Sequence, residues 1–206
     1  MMNPSLKVPR VSGFEDLASF AKAAIDTVCW PDAFPYKPEV RLAIAHDGRA
    51  VLVRFDVEEV NPRAVTTFSN GPVWEDSCVE FFVKEPASPF YFNFETNCIG
   101  TGLAAKRTCR EDFTHFDEAR MAQVIRRSSL PKEPVDISGP AAWSLELEVP
   151  FSLICEGEGV PPRLLANFYK CGDKTAVPHF LSWSPVRAPK PDFHRPEYFG
   201  ELILEP

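Results

Sequence analysis

Trp74-Glu75-Asp76-Ser77-Cys78-Val79-Glu80-Phe81-Phe82-Val83 is the stretch on which the reading of this chain turns. A Gly71-Pro72 turn precedes the indole. The residues after it alternate as in a strand, with Ser77, Val79, Phe81 and Val83 on one face and Asp76, Cys78, Glu80 and Phe82 on the other. A carboxylate in the middle of an apolar strand is costly to bury alone, so Glu80 needs a partner or a ligand. Trp74 offers a flat apolar surface suited to the C–H face of a pyranose, and a carboxylate accepts hydrogen bonds from hydroxyls. The same residues also fit a plain structural role, with Trp74 capping a core and Glu80 in a salt bridge.

Outward from this strand the pattern stays at period two. Val40, Leu42 and Ile44 alternate up to Asp47-Gly48, and Val51, Val53, Phe55 and Val57 alternate after it, which reads as a β-hairpin. Phe90 to Cys98 places Phe92, Phe94 and Thr96 on one face and Tyr91, Asn93, Glu95 and Asn97 on the other. Leu103 to Arg107 returns after a Gly-rich turn, and Met121 to Arg127 is a weakly patterned strand candidate. Trp143 to Val149 alternates cleanly up to Pro150, followed by one helical turn from Phe151 to Cys155. Leu164 to Cys171 and Gly200 to Leu204 complete the strands. Residues 1–39 read as a lead-in: a helix over Phe14 to Thr27 with Glu15 and Asp16 in its first turn, then an extended link through Pro31, Pro35 and Pro38.

About nine short strands joined by turns predict an all-β fold, a two-layer antiparallel β-sandwich of jelly-roll or immunoglobulin-like type with a short N-terminal helix. No repeat or long linker divides it, so residues 1–206 are expected to form a single domain. The chain has 21 Pro against 10 Gly, which favours loops and strand edges over long helices. A net charge of -7 excludes the basic surface that nucleic acid or an anionic membrane would require. No apolar run approaches the ~20 residues of a membrane span. The N-terminal residues lack the apolar core of a secretory leader, so the chain as given reads as cytoplasmic, or exported if a leader has been trimmed. The six cysteines show no CxxC spacing and are expected as free buried thiols, with a Cys78–Cys98 bridge as the weaker choice. The four His are scattered away from Cys, which disfavours zinc.

If the strands around Glu80, Asn93 and Asn167 share a sheet, one face is apolar. The other carries Glu80, Tyr91, Asn93, Glu95, Asn97, Asn167 and Tyr169, a lining suited to a polyhydroxylated ligand or simply a wet face. Trp183, set among Ser and Pro in Pro178 to Pro185, is a second candidate platform. Trp143 reads as core, and Trp30, beside Pro31, as a packing plug.

The Val73 to Val83 run resembles the signature of family 9 carbohydrate-binding modules and their DOMON-like relatives, in which a Trp, a short acidic stretch and a Val-Glu-Phe/Ile-Phe strand recur. Tyr91-Phe92-Asn93-Phe94-Glu95-Thr96-Asn97, the Trp143 to Phe151 run and the final Phe199-Gly200-Glu201-Leu202 continue the resemblance in order, over roughly residues 40–205. It implies a non-catalytic β-sandwich that holds a mono- or oligosaccharide of glucose type between two Trp rings. Trp74 and Trp183 would be the platforms, Glu80 the hydroxyl-binding acid and Asn167 an amide ligand. Lys106 or Arg107 would supply the cation, and Arg107 is favoured for its planar fork. Asn93 would join these in orienting hydroxyls. Where such modules place an amide shortly before the second Trp, this chain has Phe180-Leu181-Ser182, so sugar specificity is not carried over. The resemblance brings structural calcium into view, but no calcium-loop spacing is found. No cofactor is expected and the metal content stays open. Such a module would serve a glycan-processing protein partner.

Three other readings stand beside this one. A sandwich that has lost sugar binding would be a protein-interaction module. A Glu80–Glu95 pair, or His179 and His194 with the Asp192 to Glu197 loop, would give a carbohydrate-active enzyme. A haem-binding relative would need Met or His across a pocket, and the only Met residues are 1, 2 and 121.

Overall fold

Alternation of apolar and polar side chains becomes a set of short strands. The computed structural model describes residues 3–206, so Met1 and Met2 of the segment read for a leader lie outside it. In chain order the strands are β1 (Ser5–Val8), β2 (Ala21–Ala24), β3 (Thr27–Val28), β4 (Glu39–His46), β5 (Ala50–Val60), β6 (Arg63–Ala64), β7 (Cys78–Lys84) and β8 (Tyr91–Asn97). They continue as β9 (Gly102–Arg107), β10 (Phe113–His115), β11 (Ile125–Ser128), β12 (Val135–Asp136), β13 (Pro140–Pro150), β14 (Arg163–Cys171), β15 (Phe180–Ser182) and β16 (Gly200–Leu204). Two short helices, α1 (Glu118–Gln123) and α2 (Phe151–Ile154), interrupt them.

The first sheet runs β1-β16-β14-β7-β8-β9-β10, with β15 attached to β14 and β3 to β15; the second runs β11-β13-β5-β4-β2, and β6 pairs separately with β12. The strands of the first sheet pair antiparallel except β1 with β16. The inner faces meet in the main core. Phe81 stacks on Phe168 at 5.1 Å within the first sheet, and Phe55 of the second reaches Phe168 across the gap at 6.4 Å. Each such buried ring contributes roughly 1.5–3 kcal/mol.

The outer face of the first sheet is dry over much of its area. Trp30, Val186, Phe193 and Phe199, brought in by the N-terminal lead-in and the 183–199 loop, pack on Phe82, Tyr91 and Tyr169 to form a second apolar cluster. Tyr169 stacks on Phe193 at 4.1 Å. Trp30 is a packing residue as expected, although of this covering layer and not of an N-terminal helix, and Trp143 is buried in the main core.

The hairpin at Asp47-Gly48 forms as its sequence predicts. Gly48 sits at φ +89, and Asp47 Oδ1 accepts from the amides of Arg49 and Ala50, both at 2.8 Å. Three expectations are corrected. The strand read to include Asp76 and Ser77 begins only at Cys78, with Val73–Glu75 forming a 3-10 turn before it. The helix over Phe14 to Thr27 is reduced to a 3-10 segment, Phe14–Ser19, and Ala21–Ala24 becomes β2, because the free edge of β4 offers backbone partners to small side chains. The strand candidate over Met121 to Arg127 is half helix, since Asp117 caps α1 by accepting from the Arg120 amide at 2.9 Å. All six cysteines are free, but only Cys78, Cys98 and Cys171 are buried; Cys29 and Cys155 are half-buried and Cys109 is exposed. The Cys78–Cys98 bridge does not form because Cys78 belongs to the outer-face cluster and Cys98 to the core between the sheets.

Candidate functional site

Asp76 organises the loop that feeds β7. Its fully buried carboxylate accepts from the amides of Val65 and Thr66 and from Asn97 Nδ2, each at 3.0 Å, and meets Arg63 Nη1 at 3.2 Å. The loop is also tied to the end of β14: the Trp74 carbonyl accepts from the Asp173 amide at 3.2 Å, and the Glu75 carbonyl from the Lys174 amide at 3.0 Å. These bonds fix the Trp74 backbone while the residue stays 37% exposed.

Trp74 stands at the rim of a cleft of about 300 Å³ on the outer face of the first sheet. Glu80, Glu95, Leu103, Arg107 and Cys171 come from the strands beneath; Phe113 and His115 come from β10, and Phe193 and His194 from the covering loop. The volume suits one or a few small rings.

The polar groups of the floor are linked. Arg107 Nε donates to Asn93 Oδ1 at 2.7 Å, Asn93 Nδ2 donates to a Glu95 oxygen at 2.8 Å, and Arg107 Nη1 donates to the Arg110 carbonyl at 2.7 Å. The Arg107 guanidinium also lies 4.3 Å from the centre of the Phe113 ring. Glu80 and Glu95 are directly opposite in the β7–β8 register. Burial pushes both carboxyls up, Glu80 well above the usual range and Glu95 to about 7, and the charge of Glu95 raises Glu80 further. Burial also lowers Arg107 and, helped by Arg107 and Arg110, holds His194 near 3. The floor thus offers donors and acceptors side by side at neutral pH. One Glu80 oxygen accepts from Cys171 Sγ at 3.1 Å, while the other, Oε2, is buried without a hydrogen-bond partner.

Of the sequence-expected ligands, Trp74, Glu80 and Arg107 line the cleft. Asn93 lies beneath it, fully buried, and positions Arg107 and Glu95. Asn167 is on the outer face, but its amide is spent on the covering loop: Nδ2 donates to the Ser184 carbonyl and Oδ1 accepts from the Ser184 amide, both at 2.9 Å. Trp183 packs against the main core, its ring 5.6 Å from Phe168, so no second indole faces Trp74. The rings sharing the cleft with Trp74 are instead Phe113, Phe180 and Phe193. Phe113 and His115 carried no signal in the sequence, because β10 is a three-residue edge strand. His194 was visible only as part of a polar loop.

A second buried polar group lies away from the cleft. Glu59 accepts from Trp143 Nε1 at 2.7 Å and faces Lys170 Nζ at 3.0 Å, and Lys170 meets His179 Nε2 at 2.7 Å. Among the described residues, one group of three donors lies close enough to share a metal ion: Cys78, Glu80 and Cys171, with ligand atoms all within 4.8 Å of one another. Two thiols do not suit calcium, which takes six to eight oxygens.

The chain matches the family model described as "Carbohydrate-binding family 9" over residues 11–204. A crystal structure of a Bacteroides uniformis ATCC 8492 protein, provisionally described as carbohydrate-binding, superposes with a TM-score of 0.92 at 38% identity, covering 98% of this chain and 100% of that one. Two structures of a family 9 module from Caldicellulosiruptor kristjanssonii share the fold. The one with cellotriose gives a TM-score of 0.66 at 9% identity, over 98% of this chain and 94% of that one. The one with glucose gives 0.61 at 10% identity, over 98% and 96%. No curated protein matches the sequence. The match over nearly the whole chain, on a sandwich that brings Trp74 and Glu80 to one cleft, places this protein in carbohydrate-binding family 9.

Proposed function

We propose that the cleft binds a saccharide and performs no chemistry on it. The observation that carries this reading is the exposed Trp74 ring beside a floor on which Glu80 Oε2 is buried with no hydrogen-bond partner. Trp74 takes the apolar face of a pyranose ring. Arg107 donates to hydroxyls or a ring oxygen, and Glu80 and Glu95 supply an acceptor and, in the protonated form, a donor. Asn93 acts through Arg107 and Glu95, as a positioning residue. The two-indole clamp gives way to one indole with Phe113, Phe180 and Phe193 as the other apolar surfaces of the cleft.

Catalysis is the poorer fit. The two carboxyls stand next to each other on one sheet floor and would meet the same face of a bound ring. Glycoside hydrolysis needs them on either side of the scissile bond. The family 9 structures with glucose and cellotriose make glucose-type sugars the first to try. Because water competes for every hydroxyl, affinity in the micromolar to millimolar range is expected.

Isothermal titration against mono- and disaccharides, with Trp74→Ala in parallel, tests the reading. Binding weakened at least about tenfold in the variant, or about 1.4 kcal/mol, supports a site at Trp74. No heat from any sugar at high millimolar concentration would sink the proposal and leave a protein partner as the alternative.

A further inference from the structure

We infer that Cys78, Cys171 and Glu80 form a binding site for a soft divalent cation, Zn²⁺, in the floor of the cleft. Cys78 and Cys171 are directly opposite in the β7–β14 register, and Glu80 follows Cys78 by two residues on the same face of β7. Period-two geometry therefore aims all three side chains to one side of the sheet. Their ligand atoms lie within 4.8 Å of one another, and Cys171 Sγ is 3.1 Å from Glu80 Oε1.

Zinc bonds of about 2.3 Å to sulfur and 2.0–2.2 Å to oxygen put tetrahedral ligands roughly 3.5–3.8 Å apart. Small rotamer shifts would close these three donors on one ion. The donors sit on strands with Cys78, Glu80 and Cys171 at 0%, 3% and 1% exposure, so the strands hold them out of bulk water. Two thiolates and a carboxylate select zinc over calcium or magnesium. They exceed the charge of the ion by one, and Arg107 in the same cleft offsets the excess. Glu80 and Cys171 border the cleft and Cys78 does not, so the fourth coordination position faces the cleft, as in sites that keep one position for water or ligand. Oε1 at the sulfurs leaves Oε2 for a hydroxyl. The site does not depend on saccharide binding, and Cys78 lies outside the sugar-contacting set.

The test uses the reduced full chain. Zinc content is measured after equilibration with Zn²⁺ and dialysis, and Co²⁺ is titrated as a spectroscopic stand-in. One ion per chain is expected, with a thiolate-to-cobalt charge-transfer band. Cys78→Ser should weaken zinc binding by about a hundredfold or more and remove its share of that band, while saccharide titration of the metal-free variant stays as in the parent. Cys171→Ser, read by zinc content and cobalt spectrum alone because Cys171 borders the cleft, serves if Cys78→Ser fails to fold. Failure of the reduced parent to take up either metal would overturn the site, as would parent-like stoichiometry and spectrum in both serine variants. Loss of sugar binding with intact zinc uptake would count against the saccharide reading alone.

Discussion

Trp74 keeps 37% of its surface exposed, whereas Trp183, flanked by Ser and Pro in an equally polar stretch, packs onto Phe168. The two indoles should separate in a paired experiment. Trp74→Ala weakens saccharide binding with little change in stability. Trp183→Ala lowers stability by about 3 kcal/mol in denaturant titration and leaves affinity unchanged. Gly200 belongs to the same packing unit, because a methyl there would run into the Trp183 ring and the Pro4 carbonyl. Arg107 is held at both ends of its guanidinium, by Asn93 and by the Arg110 carbonyl, a grip that a lysine ammonium cannot reproduce. Arg107→Lys is therefore expected to reduce affinity about tenfold in the same titration, although the charge is kept.

Strands with strict alternation form where their sequence says they should, as β4, β5, β7, β8 and β13 show. Elements at sheet edges do not follow local pattern. Residues Ala21–Ala24 have helix-forming composition, yet they pair with β4 because an unfilled strand edge outweighs weak propensity. At this scale the Trp74 loop depends on Asp76, whose carboxylate gathers two amides, an Asn and an Arg. Asp76→Ala leaves those donors unmatched and should cost about 3 kcal/mol, measured by urea unfolding. Saccharide affinity should fall as well, since the platform loses its anchor.

Across the whole molecule, the Glu59–Lys170 ion pair joins the second sheet to the first, with Trp143 and His179 completing it. Lys170→Met would strand the Glu59 charge in the interior and is expected to destabilise by about 3–5 kcal/mol. His179 faces Lys170 Nζ at 2.7 Å, Glu59 Oε2 at 3.6 Å and the Tyr36 ring. Burial first, and then the Lys170 charge, lower its pKa from 6.5 to about 2. Its unfolded form therefore binds a proton that its folded form refuses between these values. The stability this neutral His contributes is fully present above pH 6.5 and drains away as pH falls toward 2. His179→Gln should flatten the stability–pH profile on the acid side by up to about 1.4 kcal/mol per pH unit relative to the parent, in unfolding curves between pH 6 and 3.

The sequence by itself determined what depends on neighbours along the chain: the sandwich, the hairpin at Asp47-Gly48, the burial of Trp143, and the strand that carries Glu80 behind the Trp74 turn. Alternation and turn chemistry are local, so these could be read from residues alone. Tertiary structure decided everything set by pairing between distant segments. It turned Asn167 toward the Ser184 backbone, laid Trp183 against the core, and brought His194, Phe113 and Phe193 to the cleft. It also set Cys78 opposite Cys171, though no spacing in the sequence relates them. Strand register and the path of a covering loop are fixed by which side chains can be buried together, and that choice exists only once both sheets and the loop are in place.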